Sequence, residues 1–188
     1  MPRVRQTGHG GGAVSRAVLA LGANLGDREA TLRTALRRLG DRLVAVSDGY
    51  QTPPWGDPDQ PPYLNAVAVV ADDAVEADGW LSLAHELEAA GGRVRDPARR
   101  YGPRTLDVDV IAVWRDGPAG PEPVLQDDPV LTLPHPRAHL RAFVLVPWAQ
   151  LEPAAELPGH GPITALLRTE PVAPDVPAVT RLGPLLTG

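Results

Sequence analysis

The sequence predicts an α+β fold in which helices pack on an antiparallel β-sheet. Three observations support this: apolar stretches rich in β-branched residues, amphipathic stretches with helical spacing, and their alternation in the order β-α-β-β-α-β. That order is the ferredoxin-like arrangement, and further helices follow it. The chain has 188 residues, of which 43% are apolar, so one domain with a substantial core is expected.

The first part of the predicted core consists of two strands around one helix. Residues 17–21 form a short apolar stretch, which is typical of a buried strand. A glycine-rich turn at 22–26 follows, and Asp27 is a suitable N-cap for a helix that we expect to end near Leu39. Leucines at helical spacing give this helix one apolar side. Residues 43–50 are predicted to form the second strand.

The second part of the core repeats this pattern after a proline-dense loop at 52–62. Residues 63–70 are predicted to form the third strand. Apolar residues at helical spacing predict a helix from about residue 74 to residue 90, and the two glycines at 91–92 mark its end. Residues 104–113 are rich in β-branched side chains and form the fourth predicted strand.

The predicted domain boundaries follow from composition. Residues 1–15 contain a glycine run and are expected to be a disordered leader. Residues 16–169 form the folded domain, with C-terminal helices predicted at 143–151 and 163–168. Residues 170–188 are rich in proline and are expected to be a poorly ordered tail.

The composition excludes several classes of function. There is no cysteine, which rules out disulfides and thiolate metal sites, and all 18 basic residues are arginine, so a phosphate-binding lysine motif is impossible. The net charge of −5 argues against nucleic-acid binding, and no apolar stretch is long enough to span a membrane. We expect a cytoplasmic monomer that has no nucleic-acid or membrane partner.

Two aspartates on the fourth predicted strand are the strongest chemical signal in the chain. Side chains alternate along a strand, so Asp107 and Asp109 share one face while Val108 and Val110 share the other. Their Cβ atoms would lie about 6–7 Å apart. Two such charges on a half-buried face need a positive partner, and Mg²⁺ is the natural candidate because it binds carboxylate and phosphate oxygens. A solvated strand face is the alternative.

Arginines crowd the segment just before this strand. Residues 93–104 contain five of them, and the planar guanidinium group can bind phosphate oxygens in a bidentate manner. Loop arginines are more often simply solvated, but here they adjoin paired carboxylates. Carboxylates for a metal beside arginines for phosphate predict an enzyme that acts on a nucleotide.

Longer motifs support a specific family. The stretch 100–110 closely resembles the signature of the 6-hydroxymethyl-7,8-dihydropterin pyrophosphokinases (2-amino-4-hydroxy-6-hydroxymethyldihydropteridine diphosphokinases), which transfer pyrophosphate from ATP to a pterin alcohol in folate biosynthesis. The resemblance extends over about residues 17–165. The other blocks that carry it, in chain order, are Leu19–Gly26, Tyr50–Gly56 with Asp59–Asn65, Glu88 with Gly92–Arg95, and Leu133–His135 with Arg141–Phe143.

The resemblance implies ATP as co-substrate and Mg²⁺ as cofactor, with two ions held by Asp107 and Asp109. The acceptor hydroxymethyl oxygen would attack the β-phosphorus in line, and AMP would leave. Asp109 is our hypothesis for the group that helps to remove the hydroxyl proton. The implied catalytic residues are Arg93, Arg104, Asp107 and Asp109. The implied ATP-binding residues are Glu88, Arg95, Tyr101, Val110, His135 and Arg141.

The acceptor side needs different chemistry, because a pterin is a flat heterocycle with an amide-like edge. Aromatic side chains can stack on its ring, and amide or hydroxyl groups can pair with its edge. Tyr63 and Asn65 would share one strand face, which suits this task. The implied pterin-binding residues are Thr52, Pro54, Trp55, Tyr63, Asn65 and Phe143.

Two other classes of function are alternatives to a pterin pyrophosphokinase. A nucleotidyltransferase could also use paired aspartates but would need no pterin pocket. An RNA-binding module of ferredoxin-like fold would need exposed aromatics and a basic surface, whereas this chain has one phenylalanine, three tyrosines and a net charge of −5. Three other histidines, His85, His139 and His160, match none of the motifs and are expected at the surface.

Overall fold

A computed structural model describes residues 14–54, 59–92 and 105–186 of the protein. The strands are β1 (Ser15–Ala23), β2 (Leu43–Val46), β3 (Asp48–Thr52), β4 (Tyr63–Asp72), β5 (Asp107–Gly117), β6 (Gly120–Pro123), β7 (Gln126–Asp127), β8 (Thr132–Leu133), β9 (Glu156–Leu157), β10 (Gly161–Pro162) and β11 (Thr180–Pro184). The α-helices are α1 (Arg28–Leu39), α2 (Ala77–Ala90), α3 (Ala142–Leu151) and α4 (Ile163–Leu166). Short 3₁₀ helices span Gly40–Arg42, Ala138–Leu140 and Val176–Ala178.

A single large antiparallel sheet organises the described chain. Its strand order is β11-β3-β4-β1-β5-β6, and β2 also pairs with β4. The central strands β4, β1 and β5 are the longest and most apolar, so they form the middle of the core. Mixed helices on an antiparallel sheet confirm the predicted α+β class.

Helices α1 and α2 cover one face of the sheet. The carboxylate of Asp27 accepts a hydrogen bond from the backbone N–H of Ala30 at 2.9 Å, so it caps α1 as predicted. The helix ends at Gly40, whose φ of +57° favours glycine. Trp80 of α2 is fully buried, and its indole N–H donates to the hydroxyl of Ser15 at 2.8 Å. The bond from Trp80 to Ser15 fixes α2 on β1.

Helix α3 and the C-terminal segments cover the opposite face. Trp148 and Leu145 of α3 are fully buried against apolar side chains of β4 and β5, such as Val67 and Ile111. Pro147 lies inside this helix, as expected from the sequence, and is itself buried. The sheet is therefore the middle of three layers, and each of its faces contributes to a separate apolar cluster.

The second predicted strand is wrong in one respect, because the chain breaks it at Ser47 into β2 and β3. The Ser47 backbone N–H donates to the Val67 carbonyl at 2.9 Å, and the Ser47 hydroxyl accepts from the Val67 N–H at 3.0 Å. The side chain thus replaces one backbone partner of β4 at the break. Both halves still pair with β4.

The expected disorder after residue 170 is also wrong for the described part of this segment. Thr180–Pro184 forms β11, which pairs with the edge strand β3. Leu185 is 4% exposed and belongs to the core cluster beneath α1 and α2. The proline-rich composition of the segment predicts a tail. The segment is ordered because it pairs with β3, a strand that is distant in sequence, and a local pattern does not reveal such pairing.

Smaller differences concern where elements begin and end. Ser15, assigned to the leader, begins β1, and α2 begins three residues later than expected, at Ala77. The last predicted helix ends at Leu166 rather than Arg168. Strand β5 begins at Asp107, inside the predicted stretch, and continues to Gly117, where it turns into the hairpin partner β6. None of these shifts changes which side chains face the two core clusters.

Strand β5 contains a β-bulge at Ile111. Val18 pairs with Ala112 and Leu19 pairs with Val110, which leaves Ile111 as an extra residue. Ile111 and Ala112 both belong to the cluster on the α3 face.

Along residues 14–54, 59–92 and 105–186, no helix combines the length and the apolar character that crossing a bilayer requires.

Candidate active site

A cavity of about 170 Å³ opens on the α3 face of the sheet, near the start of β5. Strands β1, β3, β4 and β5, the segment before α3 and the first turn of α3 all contribute to its wall. Its lining residues are Ala20, Leu21, Gly22, Thr52, Pro53, Tyr63, Asn65, Asp107, Asp109, His135, Arg137, Arg141 and Phe143.

The two aspartates face this cavity together, as the alternation of strand side chains predicted. Val108 and Val110 are buried on the other face, toward α2. Asp109 is already paired with a cation, because Nη1 of Arg141 donates to its Oδ2 at 2.7 Å. The Arg141 side chain is only 10% exposed, whereas that of Asp109 is 31% exposed. The carboxylate therefore remains open to a ligand on its solvent side.

His135 lies beside this ion pair and is held by the bulge in β5. Its backbone N–H donates to the carbonyl of Ile111 at 2.8 Å. Its ring Nδ1 accepts from the backbone N–H of Arg137 at 3.1 Å, so the ring proton belongs on Nε2. That Nε2 lies 3.7 Å from Oδ2 of Asp109. Burial lowers the pKa of His135 and outweighs the opposing effect of Asp109, so the ring is neutral near pH 7.

Asn65 and Thr52 form the polar corner of the cavity. Nδ2 of Asn65 donates to the hydroxyl of Thr52 at 2.7 Å, and both residues are buried. Gly22 lies opposite Asn65 in the pairing of β1 with β4, and a Cβ at Gly22 would lie 2.8 Å from Oδ1 of Asn65. The absence of a side chain at residue 22 gives the Asn65 amide its place in the cavity wall.

Tyr63 and Phe143 supply aromatic surface. The Tyr63 hydroxyl donates to Oε1 of Gln60 at 3.1 Å, and Nδ2 of Asn24 donates to the same oxygen at 2.9 Å. These bonds join the loop before β4 to the turn after β1. Phe143 is in the first turn of α3, and the guanidinium carbon of Arg141 lies 5.5 Å from its ring centroid. The aromatic rings are therefore anchored by polar neighbours at the rim.

Most of the described residues that the motifs assigned to the site do come together. The ones that line the cavity are Thr52, Tyr63, Asn65, Asp107, Asp109, His135, Arg141 and Phe143. Pro53 rather than Pro54 is at the cavity wall. Trp55, Arg93, Arg95, Tyr101 and Arg104 lie outside the described residues, and their assigned roles stay predictions.

Two predicted ATP-binding residues lie away from the cavity. Val110 is packed in the core on the α1 and α2 face. Glu88 is 4% exposed, and its Oε1 accepts a hydrogen bond from the backbone N–H of Val108 at 3.0 Å. This bond ties α2 to the strand that carries the aspartates. The ATP-binding roles of Glu88 and Val110 stay predictions.

Sequence reasoning missed several wall residues, among them Gly22, Pro53 and Arg137. Gly22 carried a usable signal, because a glycine within a strand indicates close approach of another group. Arg137 had no such signal, because its position depends on the turn after His135. Ala20 and Leu21 line the cavity as neighbours of Gly22 on β1.

The donor set fits Mg²⁺ bound together with substrate oxygens. Asp107 and Asp109 give two carboxylates on one face, and Mg²⁺ commonly takes one or two carboxylates plus waters and phosphates. Among the described residues, no cluster of three or more histidine, aspartate or glutamate side chains could hold a metal alone. Arg141 balances the charge of Asp109.

The cavity has the chemistry of an enzyme site for two kinds of group. Paired carboxylates with a buried arginine suit a phosphate-bearing substrate and its cation, whereas Asn65, Thr52 and the aromatic rings suit a flat polar heterocycle. The fold places both halves within one cavity, as a group transferase requires.

Comparison with known proteins identifies the family. A family model described as 7,8-dihydro-6-hydroxymethylpterin-pyrophosphokinase (HPPK) matches residues 18–153. A 2-amino-4-hydroxy-6-hydroxymethyldihydropteridine pyrophosphokinase of Mycobacterium bovis is 47% identical over 158 residues, which are 82% of this chain and 83% of that protein. The enzyme of the same name from Mycobacterium leprae is 50% identical over 146 residues, 77% of this chain and 75% of that one. The chain belongs to the HPPK family.

A more distant relative supports the same family, and two solved structures have a similar fold. The pyrophosphokinase of the same name from Methylorubrum extorquens is 43% identical over 162 residues, 84% of this chain and 96% of that protein. Crystal structures of Plasmodium falciparum HPPK-DHPS, A437G and wild type, have TM-scores of 0.58 and 0.60 at 13% and 12% identity. They cover 81% and 89% of this chain, which spans 45% of each of those longer chains. Family membership confirms the pyrophosphokinase function in folate biosynthesis that the motifs predicted.

Proposed function

We propose that this chain transfers pyrophosphate from ATP to the hydroxymethyl group of 6-hydroxymethyl-7,8-dihydropterin in a Mg²⁺-dependent reaction that releases AMP. The observation that carries the proposal is the presence of Asp107 and Asp109 in the same cavity as Asn65 and Phe143. A carboxylate pair beside a heterocycle-binding wall brings an acceptor alcohol next to the place where phosphate oxygens would bind.

The acceptor half of the cavity would recognise the pterin through its edge and its faces. The Asn65 amide can both donate and accept, and its bond to Thr52 holds it at the cavity wall. The ring of Phe143 can stack on the heterocycle, and Tyr63 adds aromatic surface at the rim. Binding in this orientation would hold the hydroxymethyl oxygen near the aspartates.

The phosphate half of the cavity relies on charge. Asp107 and Asp109 would hold Mg²⁺, which when bound neutralises phosphate oxygens and acidifies a bound hydroxyl group. Arg141 would stay close to Asp109 and donate its other N–H groups to phosphate oxygens. His135 would donate its Nε2 proton to a phosphate or ribose oxygen.

Asp109 remains our candidate for accepting the hydroxyl proton. Its Oδ2 is held by Arg141, so the second oxygen is the one available to the cavity. Roles for Arg93, Arg95, Tyr101 and Arg104 in binding ATP, and for Trp55 and Pro54 in binding the pterin, are part of the same proposal and rest on the family motifs. Glu88 and Val110 are included with the ATP-binding residues on the same ground.

Three further features complete the proposal: the fold, the oligomeric state with its location, and the partners. A ferredoxin-like core is supported by the order of the four main strands, in which β4 and β5 flank β1. A monomeric, cytoplasmic enzyme is part of the same proposal, in keeping with a chain that contains no cysteine. No nucleic-acid or membrane partner is invoked, in keeping with a net charge of −5.

The decisive experiment is a product analysis. The full chain is incubated with ATP, MgCl₂ and 6-hydroxymethyl-7,8-dihydropterin, and nucleotides and pterins are separated by chromatography. AMP and a pterin diphosphate are expected in equal amounts, and chelation of the metal should stop both. Release of pyrophosphate with a nucleotidylated product would instead indicate a nucleotidyltransferase, and an inert mixture would reject the proposal.

A further inference from the structure

The side chain of Gln150, near the end of α3, makes three hydrogen bonds to one strand. Its Oε1 accepts from the backbone N–H of Asp48 and from the hydroxyl of Tyr50, both at 3.0 Å. Its Nε2 donates to Oδ2 of Asp48 at 2.9 Å. The amide orientation is fixed, because a flipped amide would place N–H against N–H at Asp48.

These bonds join the two elements that carry opposite walls of the cavity. On β3, Asp48, Tyr50 and Thr52 alternate with residues of the other face, so they share the side that faces α3. Thr52 holds the Asn65 amide. Gln150 follows Phe143 by seven residues, about two turns and about 10 Å along the same helix. The distance between the polar corner and the aromatic ring therefore depends on the Gln150 contact.

The C-terminal strand β11 also contacts Asp48, from the edge of the sheet. Nε of Arg181 on β11 donates to Oδ2 of Asp48, the oxygen that Gln150 also contacts. Beneath the strand, a Cβ at Gly49 would lie 3.2 Å from Leu185, which shows how closely β3 packs on this segment. Arg181 and Leu185 lie beyond residue 153, where the family match ends.

We propose that Gln150 is a positioning residue that, with Asp48 and Arg181, sets the width of the pterin-binding half of the cavity. The inference rests on the proposed function for the identity of the ligand. It adds two features to that function. One is a hydrogen-bond network about two helical turns from Phe143, and the other is a contribution from β11, which lies outside the family match. Disturbing the network should weaken pterin binding and leave nucleotide binding unchanged, because Asp107 and Asp109 are on β5, which pairs with β1 and not with β3. Arg141 is held at that strand by its bond to Asp109.

The test exchanges the donor and the acceptor of one bond. Gln150→Glu places a carboxylate against that of Asp48, whereas adding Asp48→Asn restores a single donor and a single acceptor. Gln51→Glu is the matched control, because it makes the same change on the other face of β3. For each variant, dissociation constants are measured by calorimetry for α,β-methylene-ATP with Mg²⁺, and then for the pterin in its presence.

We expect Gln150→Glu to raise the pterin dissociation constant about tenfold or more, the scale of losing a buried hydrogen bond. The nucleotide constant should stay within about twofold, and the double variant should recover pterin affinity to within about threefold of the unmodified chain. Gln51→Glu should leave both constants within about twofold. A folded Gln150→Glu chain with unchanged pterin affinity, or with equal loss for both ligands, would overturn the inference.

A second variant keeps the test valid if Gln150→Glu does not fold. Arg181→Ala removes a side chain that is 65% exposed, so the fold should tolerate it. We expect pterin affinity to fall about threefold with nucleotide affinity unchanged, and unchanged pterin affinity would contradict the inference. Failure of the unmodified chain to form AMP and pterin diphosphate would instead overturn the proposed function, so the two failures are distinct.

Discussion

Gly22 and Asn65 are direct partners across β1 and β4, and the Asn65 amide occupies the space that a side chain at residue 22 would fill. A Cβ at Gly22 would lie 2.8 Å from Oδ1 of Asn65 and 3.7 Å from Cδ1 of Tyr63. The glycine is in an ordinary extended strand, so space rather than backbone conformation requires it. A buried polar group thus has its position set by a missing methyl group.

Gly22→Ala should therefore weaken pterin binding selectively. The added methyl group would displace the Asn65 amide from its bond to Thr52, and we expect the KM for the pterin to rise about tenfold. The KM for ATP should change by less than about twofold, because the displaced amide belongs to the other half of the cavity. Steady-state kinetics with each substrate varied in turn checks this, and equal changes in both KM values would contradict it.

Asp107→Asn should abolish most turnover without unfolding the chain. The substitution keeps the shape of the side chain but removes one carboxylate from the proposed metal site, and we expect kcat to fall about 100-fold or more. Asp116→Asn is a suitable control, because it makes the same change at an exposed position of the same strand. Turnover is measured by AMP release at saturating MgCl₂, and a kcat within about threefold of the unmodified chain would exclude an essential role for Asp107.

Breaking the ion pair between Arg141 and Asp109 should lower stability. Arg141→Met leaves the carboxylate in the cavity without its 2.7 Å partner, and we expect the free energy of unfolding to fall by about 1–3 kcal/mol, since the Asp109 side chain is 31% exposed and partly solvated. Asp109→Asn in the same chain should recover part of this loss. Urea unfolding of the two single variants and the double variant gives the coupling energy, and strictly additive losses would show that the pair contributes none.

The stability of the fold should decrease as the pH falls below about 6.5, in part because of His139. Burial and the neighbouring His160, whose ring is stacked at 4.1 Å, hold the pKa of His139 below its ordinary value of 6.5. The unfolded chain therefore binds a proton at this position before the folded chain does, and protonation favours unfolding.

His139→Gln should make this decline shallower. Urea unfolding at pH 7.5 and at pH 5.5 measures the decline for each chain, and the variant should show the smaller difference between the two free energies of unfolding. His85→Gln is the control for removing a histidine from the chain. Identical pH dependence in the variant and the unmodified chain would contradict the prediction.

Much of the fold could be predicted because its main elements have strong periodic patterns. Strand β5 alternates Asp107 and Asp109 with buried valines, and the apolar stripe of α1 is bounded by Asp27 and Gly40. These local signals coincide with the packing that the structure shows. The break at Ser47 could not be predicted, because it depends on a hydrogen bond to Val67 on another strand.

The site was predictable to the extent that its residues lie in motifs. Asp107, Asn65 and Phe143 were assigned from such blocks, and all three line the cavity. Gln150 and Arg181 were not, because neither residue lies in one of those motifs. Their importance arises from the packing of α3 and β11 against one end of β3, which no pattern along the chain encodes.

The bulge at Ile111 changes the phase of β5. Before it, odd-numbered residues such as Asp109 face α3; after it, even-numbered residues such as Trp114 do so. A strand without the extra residue would turn either the aspartates or the distal apolar side chains to the wrong layer. The insertion also leaves the Ile111 carbonyl available to His135. A single added residue thus lets one strand serve a polar cavity at one end and a dry core at the other.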